Sequence, residues 1–281
     1  MELGISSVGN ILDLAISNKF KSIFDLLIEA TKECFIYAEE NDINVCELLL
    51  DPPDVLSSDN KKKFIDLCNS FSVKKRIHGP FIGLKLCSNN QYIAKASVEC
   101  LIETAKLCNQ INAETLTVHP GSEGFGLVNE TIYSISNKKR LIESVNNLLD
   151  ATADLNVKIC IENLPNAYGV NMFIHLEDIK QFFSDINRND IFMTWDTSHS
   201  WTCDMDLEML WNKFHKVIKN IHLADNFKKN RDSHPSLGSG KIDFQEIFDI
   251  IKKYNYNGAL IVEILSAKNF TKSLNFIKKF L

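Results

Sequence analysis

A chain of 281 residues with 45% hydrophobic residues has ample material for a sizeable core. Its 31 basic and 36 acidic residues leave a net charge of −5, which argues against gripping nucleic acid by bulk charge but not against a local basic patch. No apolar run approaches the roughly 18 residues of a membrane span, and Met1 leads almost directly into a strand-like run, so a soluble, cytoplasmic protein is expected. The eight cysteines, Cys34, Cys46, Cys68, Cys87, Cys100, Cys108, Cys160 and Cys203, include no CxxC pair and read as buried, reduced thiols.

In chain order, short β-branched or apolar runs predict strands over 3–7, 44–50, 75–78, 114–119, 157–162, 191–196, 220–224 and 259–264. Amphipathic segments lie between them. Leu141, Val145, Leu148, Leu149 and Thr152 recur at helical spacing, as do Phe244, Ile247, Phe248 and Ile251. Eight strands, each followed by a helix, predict an α/β fold: a single (β/α)8 TIM barrel spanning 1–281 with its active site at the C-terminal ends of the strands. An open doubly wound sheet would show a glycine-rich first turn, but that region reads Ser6-Ser7-Val8-Gly9-Asn10. Gly238-Ser239-Gly240-Lys241 is no phosphate loop, because Ile242 stands where Ser or Thr should follow the lysine. The longest irregular stretches, 79–91, 120–137 and 226–242, all follow strands and so fall on one face of a barrel.

Of seven histidines, His175 and His215 fall in helical patterns and are given no role. The other five, His78, His119, His199, His222 and His234, sit at or just past strand ends. The carboxylates Glu162, Asp196, Asp232 and Glu263 repeat the pattern. A charge closing an apolar run is expensive unless it is paired or ligates a cation. Asp196-Thr197-Ser198-His199 also reads as a helix N-cap. Five imidazoles and four carboxylates converging on one mouth form a metal site by ligand inventory, too large for one ion and suited to two or three divalent ions. Zinc heads the candidates, with manganese or another divalent ion next.

These residues carry a resemblance to the xylose isomerase-like barrel superfamily, which includes sugar phosphate isomerases and epimerases and also endonuclease IV. The stretches Ile77-His78-Gly79-Pro80-Phe81, Val118-His119-Pro120-Gly121-Ser122, Ile161-Glu162-Asn163-Leu164-Pro165, Asp196-Thr197-Ser198-His199, Ile221-His222-Leu223-Ala224-Asp225-Asn226 and Asp232-Ser233-His234-Pro235-Ser236-Leu237-Gly238 carry it in the right order. The endonuclease IV branch (AP endonuclease family 2) is similar in its trinuclear zinc centre. That resemblance implies one ion on His78, His119 and Glu162, a second on Glu162, Asp196, His222 and Glu263, and a third on His199, Asp232 and His234. The isomerase branch is similar in using Glu162, Asp196, His222 and Glu263 around one ion. The chain departs from endonuclease IV where that family touches DNA: Phe81-Ile82-Gly83-Leu84, Glu162-Asn163-Leu164-Pro165-Asn166 and Ala224-Asp225-Asn226 look more like the isomerases.

The first expectation is therefore a metal-dependent isomerase or epimerase acting on a small sugar or sugar phosphate, with Glu162 and Glu263 as a catalytic acid/base pair. Lys228, Lys229 and Arg231 would meet a substrate phosphate. The alternative is a zinc-dependent phosphodiester hydrolase acting at abasic sites in DNA, with Phe81, Ile82, Phe125 and Trp201 as apolar wedges. Rim residues Lys85, Lys138, Lys139 and Arg140 are too sparse to decide between them. A non-catalytic, ligand-sensing metal barrel is a third reading.

Overall fold

The computed structural model describes residues 1–17, 19–122, 132–166 and 171–281. Eight parallel strands close into a barrel in sequence order, with β1 paired to both β2 and β8. They are β1 (Glu2–Ser6), β2 (Val45–Leu49), β3 (Lys74–His78), β4 (Thr115–Val118), β5 (Lys158–Glu162), β6 (Ile191–Asp196), β7 (Ile218–Leu223) and β8 (Ala259–Val262). Around them lie α1 (Val8–Ile16) and α2 (Ile23–Glu40) after β1, α3 (Ser58–Asn69) after β2, α4 (Gln91–Gln110) after β3 and α5 (Ile132–Ala151) after β4. The circuit closes with α6 (Leu176–Ile186), then α7 (Thr197–Thr202) and α8 (Leu207–Phe214) after β6, α9 (Phe244–Lys253) and α10 (Phe270–Ile277). The expected barrel is thus the observed one.

Strand side chains alternate between two faces. The outward set, including Ile5, Leu48, Ile77, Leu116, Ile161, Trp195, Ile221 and Leu260, packs with helix residues such as Leu141, Val145, Ile247 and Ile251 in one large core. The inward set is different. Val45, Ala259 and Ile261 form a small separate apolar cluster. Above and beside it the barrel axis is polar: Glu47, Arg76, Thr117, Thr194, Asn220 and His222 are all buried. Contacts across the axis join them, as between the Thr117 and Thr194 hydroxyls at 2.8 Å and from Arg76 Nη1 to Asn220 Oδ1 at 3.0 Å. Strands buried on both faces usually read as continuous apolar runs, so this interior requires partners for its polar groups.

Three local expectations need correction. The irregular stretch expected over 120–137 ends sooner, because α5 already begins at Ile132. Its first turns carry exposed Ile132, Tyr133 and Ile135, which masks the apolar periodicity. His175 is the N-cap residue of α6 and His215 the C-cap of α8, so both flank helices rather than sit inside them. None of the eight cysteines is in a disulfide, but Cys100 and Cys203 are only partly buried. No helix among the described residues is long and apolar enough to cross a membrane.

Candidate metal centre

The barrel brings the nine expected ligands together. His78, Glu162 and Asp196 end β3, β5 and β6; His222 lies next to last in β7; His119 and Glu263 follow β4 and β8 by one residue. His199 sits in α7, whose start is set by Asp196: its Oδ1 accepts the His199 N–H at 2.7 Å. Capping and site-building are therefore one residue's double role, since Asp196 Oδ2 faces the cluster 4.0 Å from His222 Nδ1. Asp232 and His234 come from the loop between β7 and α9.

Three groupings emerge from the distances. Glu162 Oε2 lies 3.4 Å from His78 Nε2 and 3.0 Å from His119 Nε2. His222 Nδ1 lies 2.9 Å from Glu162 Oε1 and 3.0 Å from Glu263 Oε2. Asp232 lies 3.2 Å from His199 Nε2 and 2.8 Å from His234 Nε2. Glu162 links the first two groups, and Glu263 Oε1, 3.3 Å from His234 Nδ1, links the second to the third. Donor atoms of His78, His119 and Glu162 all fall within 4.8 Å of one another, as do those of Glu162, Asp196 and His222, of Asp196, His199 and His234, and of Glu47, His222 and Glu263.

The residues fit divalent ions on two further grounds. Several rings are oriented from behind, as ligating histidines are: His78 Nδ1 meets the Gly79 carbonyl at 2.9 Å and His199 Nδ1 the Asn163 carbonyl at 2.8 Å. In addition, His119 Nε2, Glu162 Oε2, Asp196 Oδ2, His234 Nε2 and Glu263 Oε2 are buried and lack any well-angled hydrogen bond. Buried polar atoms are rarely left so, and their clustering at one mouth suits metal coordination.

Electrostatics point the same way. Burial works against charge on His78, but contact with Glu162 overcomes it and lifts the ring to about 9. Burial likewise opposes charge on His199, and the Asp196 and Asp232 carboxylates raise it to about 10. Burial lifts Asp196 to about 6, against the lowering pull of His199 and His234. Burial also works to raise Glu162, yet the charge of His222 and close contacts with His119, His222 and His78 hold it well below its ordinary value. His119 alone among these histidines is lowered, chiefly by burial. In the absence of cations, protons on the histidines balance the carboxylates; an arriving ion would displace them.

A second ring of residues supports the ligands. Ser198 Oγ donates to Asp232 at 3.1 Å and accepts from Asn226 Nδ2 at 2.8 Å. Asn163 Oδ1 accepts the Asp196 N–H at 2.9 Å. Buried Asp225 accepts from the Gly240 N–H at 2.7 Å, and a side chain at Gly240 would collide with it at 2.2 Å. The Phe81 ring stacks on His119, 4.6 Å between centroids. Over the cluster opens a cavity of about 240 Å³, walled by Val8, Leu49, Phe81, Pro165 and Leu265. A larger cavity of about 550 Å³ near α4 and α5 gathers no such set of ligands.

Lys228, Lys229 and Arg231 are exposed and none lines the mouth cavity. Lys229 instead sits 4.0 Å over the Trp201 ring and 2.6 Å from Asp204. Of the apolar wedge candidates, Ile82 is 69% exposed, Phe81 and Trp201 are engaged as described, and Phe125 lies outside the described residues. Sequence reasoning missed Glu47, fully buried in Val45-Cys46-Glu47-Leu48-Leu49 and 2.7 Å from His222 Nε2. A carboxylate inside an apolar strand, the signal that singled out Glu263, would have found it.

Fold and site define a (β/α)8 barrel whose strand ends gather side chains able to hold several metal ions. The chain belongs to the xylose isomerase-like TIM barrel family, whose model matches residues 35–280. The uncharacterized protein MJ1311 of Methanocaldococcus jannaschii is 26% identical over 245 residues, 86% of this chain and 82% of its own length. A probable endonuclease 4 of Mycoplasma mycoides subsp. mycoides is 26% identical over 202 residues, 66% of each chain. Among solved structures, a D-tagatose 3-epimerase-like protein superposes with a TM-score of 0.81 at 24% identity, covering 100% of this chain and 97% of the other, a likeness of fold.

Proposed function

We propose that this protein is a metal-dependent phosphodiester hydrolase acting at abasic sites in DNA. The observation that carries the reading is the third ligand group. A four-ligand isomerase site would leave His199, Asp232 and His234 without a task, although they meet at 2.8 and 3.2 Å beside the other six. This reverses the order of the two readings expected from the residues flanking the ligands. The relationship to a probable endonuclease 4 supports it.

His78, His119 and Glu162 would hold one ion, Glu162, Asp196, His222 and Glu263 a second, and His199, Asp232 and His234 a third. Bound there, zinc would supply an activated water at neutral pH and a counter-charge for phosphate oxygens. The chain's own groups do the rest. The Gly79 and Asn163 carbonyls, accepting from Nδ1 of His78 and His199, aim those two rings. Phe81 and Leu265 shield the cluster from bulk water. Exposed Ile82 is the rim residue shaped to wedge into a distorted duplex, and Lys228 and Arg231 are the nearby cations.

One observation favours sugar isomerase or epimerase chemistry as a second reading. The cavity is small and no lysine or arginine lines it among the described residues, which suits a neutral sugar. Glu162 and Glu263, 2.9 and 3.0 Å from the same His222 nitrogen, would then be the acid/base pair.

The test assays zinc- or manganese-loaded protein on a duplex with one abasic site, beside solvent-deuterium exchange into ketoses by NMR. Nicking confined to the abasic duplex and abolished by a chelator is expected. Deuterium incorporation without nicking would replace this reading with the second. Fewer than one ion per chain after metal supplementation would overturn both.

A further inference from the structure

We propose that Glu47 is a positioning residue for the metal centre: it faces the Nε2–H of His222 and so turns Nδ1 of that ring toward Glu162, Asp196 and Glu263, which together with it would hold an ion. The inference rests on the reading that the mouth holds ions.

Its basis is a buried chain of polar groups along the barrel axis. Arg76 can only donate. Its Nη2 meets Glu114 at 2.7 Å, and its Nη1 meets the Lys219 carbonyl at 2.8 Å and Asn220 Oδ1 at 3.0 Å. Asn220 must therefore present its oxygen to Arg76 and its amide N–H to Glu47 Oε2, 2.5 Å away. With that oxygen engaged, Glu47 turns Oε1 to His222 Nε2 at 2.7 Å. The contact is bent, so Oε1 falls short of a full hydrogen bond, and Asn220 Nδ2 also stands 3.1 Å from Nε2. A carboxylate oxygen and an unprotonated ring nitrogen would repel at 2.7 Å, so Nε2 keeps a proton facing Glu47. Nδ1 faces the Glu162 and Glu263 carboxylates at 2.9 and 3.0 Å, and it is the nitrogen whose proton an ion held there would displace.

Glu47 also shares a compact group with His222 and Glu263, so direct ligation is the rival role. Its two oxygens, however, are turned to Asn220 and to the far nitrogen of the ring. Supports of this kind are commonly worth about 10- to 100-fold in metal affinity.

The experiment compares wild type with Glu47→Gln. A glutamine can offer one oxygen to His222 only by turning its amide N–H toward that of Asn220, which Arg76 keeps from flipping. Zinc affinity is read by chelator competition, stoichiometry by elemental analysis, and ring protonation by long-range proton–nitrogen NMR of the zinc-loaded, histidine-labelled protein. The expected result is full stoichiometry at saturating zinc, a loss of about 10- to 100-fold in affinity for one ion, and a wild-type His222 ring protonated at Nε2. Unchanged affinity in Glu47→Gln would overturn the proposal. So would loss of one whole equivalent, which would make Glu47 a ligand, or a wild-type ring protonated at Nδ1. If the variant fails to fold, the wild-type ring pattern decides alone. Wild type that binds no zinc defeats the metal reading itself, an outcome distinct from a wild type that binds ions indifferent to Glu47.

Discussion

The two halves of the proposed metal centre are built by different means. Six candidate ligands, His78, His119, Glu162, Asp196, His222 and Glu263, ride on strands or one residue beyond them, where backbone ladders fix their spacing. The other three, His199 in α7 and Asp232 and His234 in the loop after β7, are braced by the Ser198 and Asn226 side chains and the Asn163 carbonyl. His234 also holds a φ of 32°, a left-handed conformation unusual for a non-glycine residue. The contrast teaches that strand-borne ligands come with the fold, whereas the group borne by α7 and the loop after β7, the loop-borne group for short, needs a supporting network of its own. Loops that carry function on a rigid scaffold are where related proteins diverge.

Several measurements can break or sharpen this contrast. Glu162→Gln should have the largest effect, because its carboxylate touches His78, His119 and His222 together. Activity should fall roughly 1000-fold, the factor that about 4 kcal/mol of lost charge stabilisation implies, with the far-ultraviolet spectrum unchanged; full turnover would remove this glutamate from the mechanism. His234→Ala should remove one ion and slow nicking by about 100-fold, corresponding to roughly 3 kcal/mol, while the strand-borne sites stay loaded. Loss of every ion would show that the halves are not separable.

Acidity offers a gentler probe. His78 and His199, lifted to about 9 and 10, must lose protons to bind metal, so affinity should climb by up to about tenfold per pH unit for each proton displaced between neutral pH and that range. The metal-free fold responds with the opposite sign. A histidine lifted above its ordinary 6.5 stabilises the fold while it is charged, so that contribution is full below about 6.5 and fades as pH rises through 9 to 10. Thermal melts of chelated and loaded protein across this range should diverge; parallel curves would contradict the coupling. The smallest expected effect comes from Gly240→Ala, whose new methyl meets Asp225 at 2.2 Å and the Asn226 carbonyl at 2.4 Å. It should destabilise the chain by about 1–3 kcal/mol and weaken metal binding in the loop-borne group alone.

Much of this was legible in the residues. The run 191–196 matches β6 residue for residue, and histidines and carboxylates at strand exits marked the mouth. Asp196 was readable both as a cap and as a ligand, and it faces both ways. What stayed hidden was non-local. Glu47 looked like a stray charge in an apolar run because its partners, Asn220 and His222, stand across the barrel on β7. The start of β7 at Ile218 was missed too; its pairing with β6 shifts register between Met193 and Thr194, which local pattern does not announce. The basic cluster 228–231 drew attention by charge, but Lys229 finds its partners in Trp201 and Asp204.

Val45, Ala259 and Ile261 fill part of the barrel's interior, with Val45 and Ile261 close against Gly4. They fill interior space that the polar axial groups leave, and His222 and Glu162 lie under the cavity above, where a bound substrate would cover them. Exchange of the deeply buried side-chain protons with deuterated solvent should therefore slow when the mouth is filled, giving a record of occupancy that needs no chemical turnover.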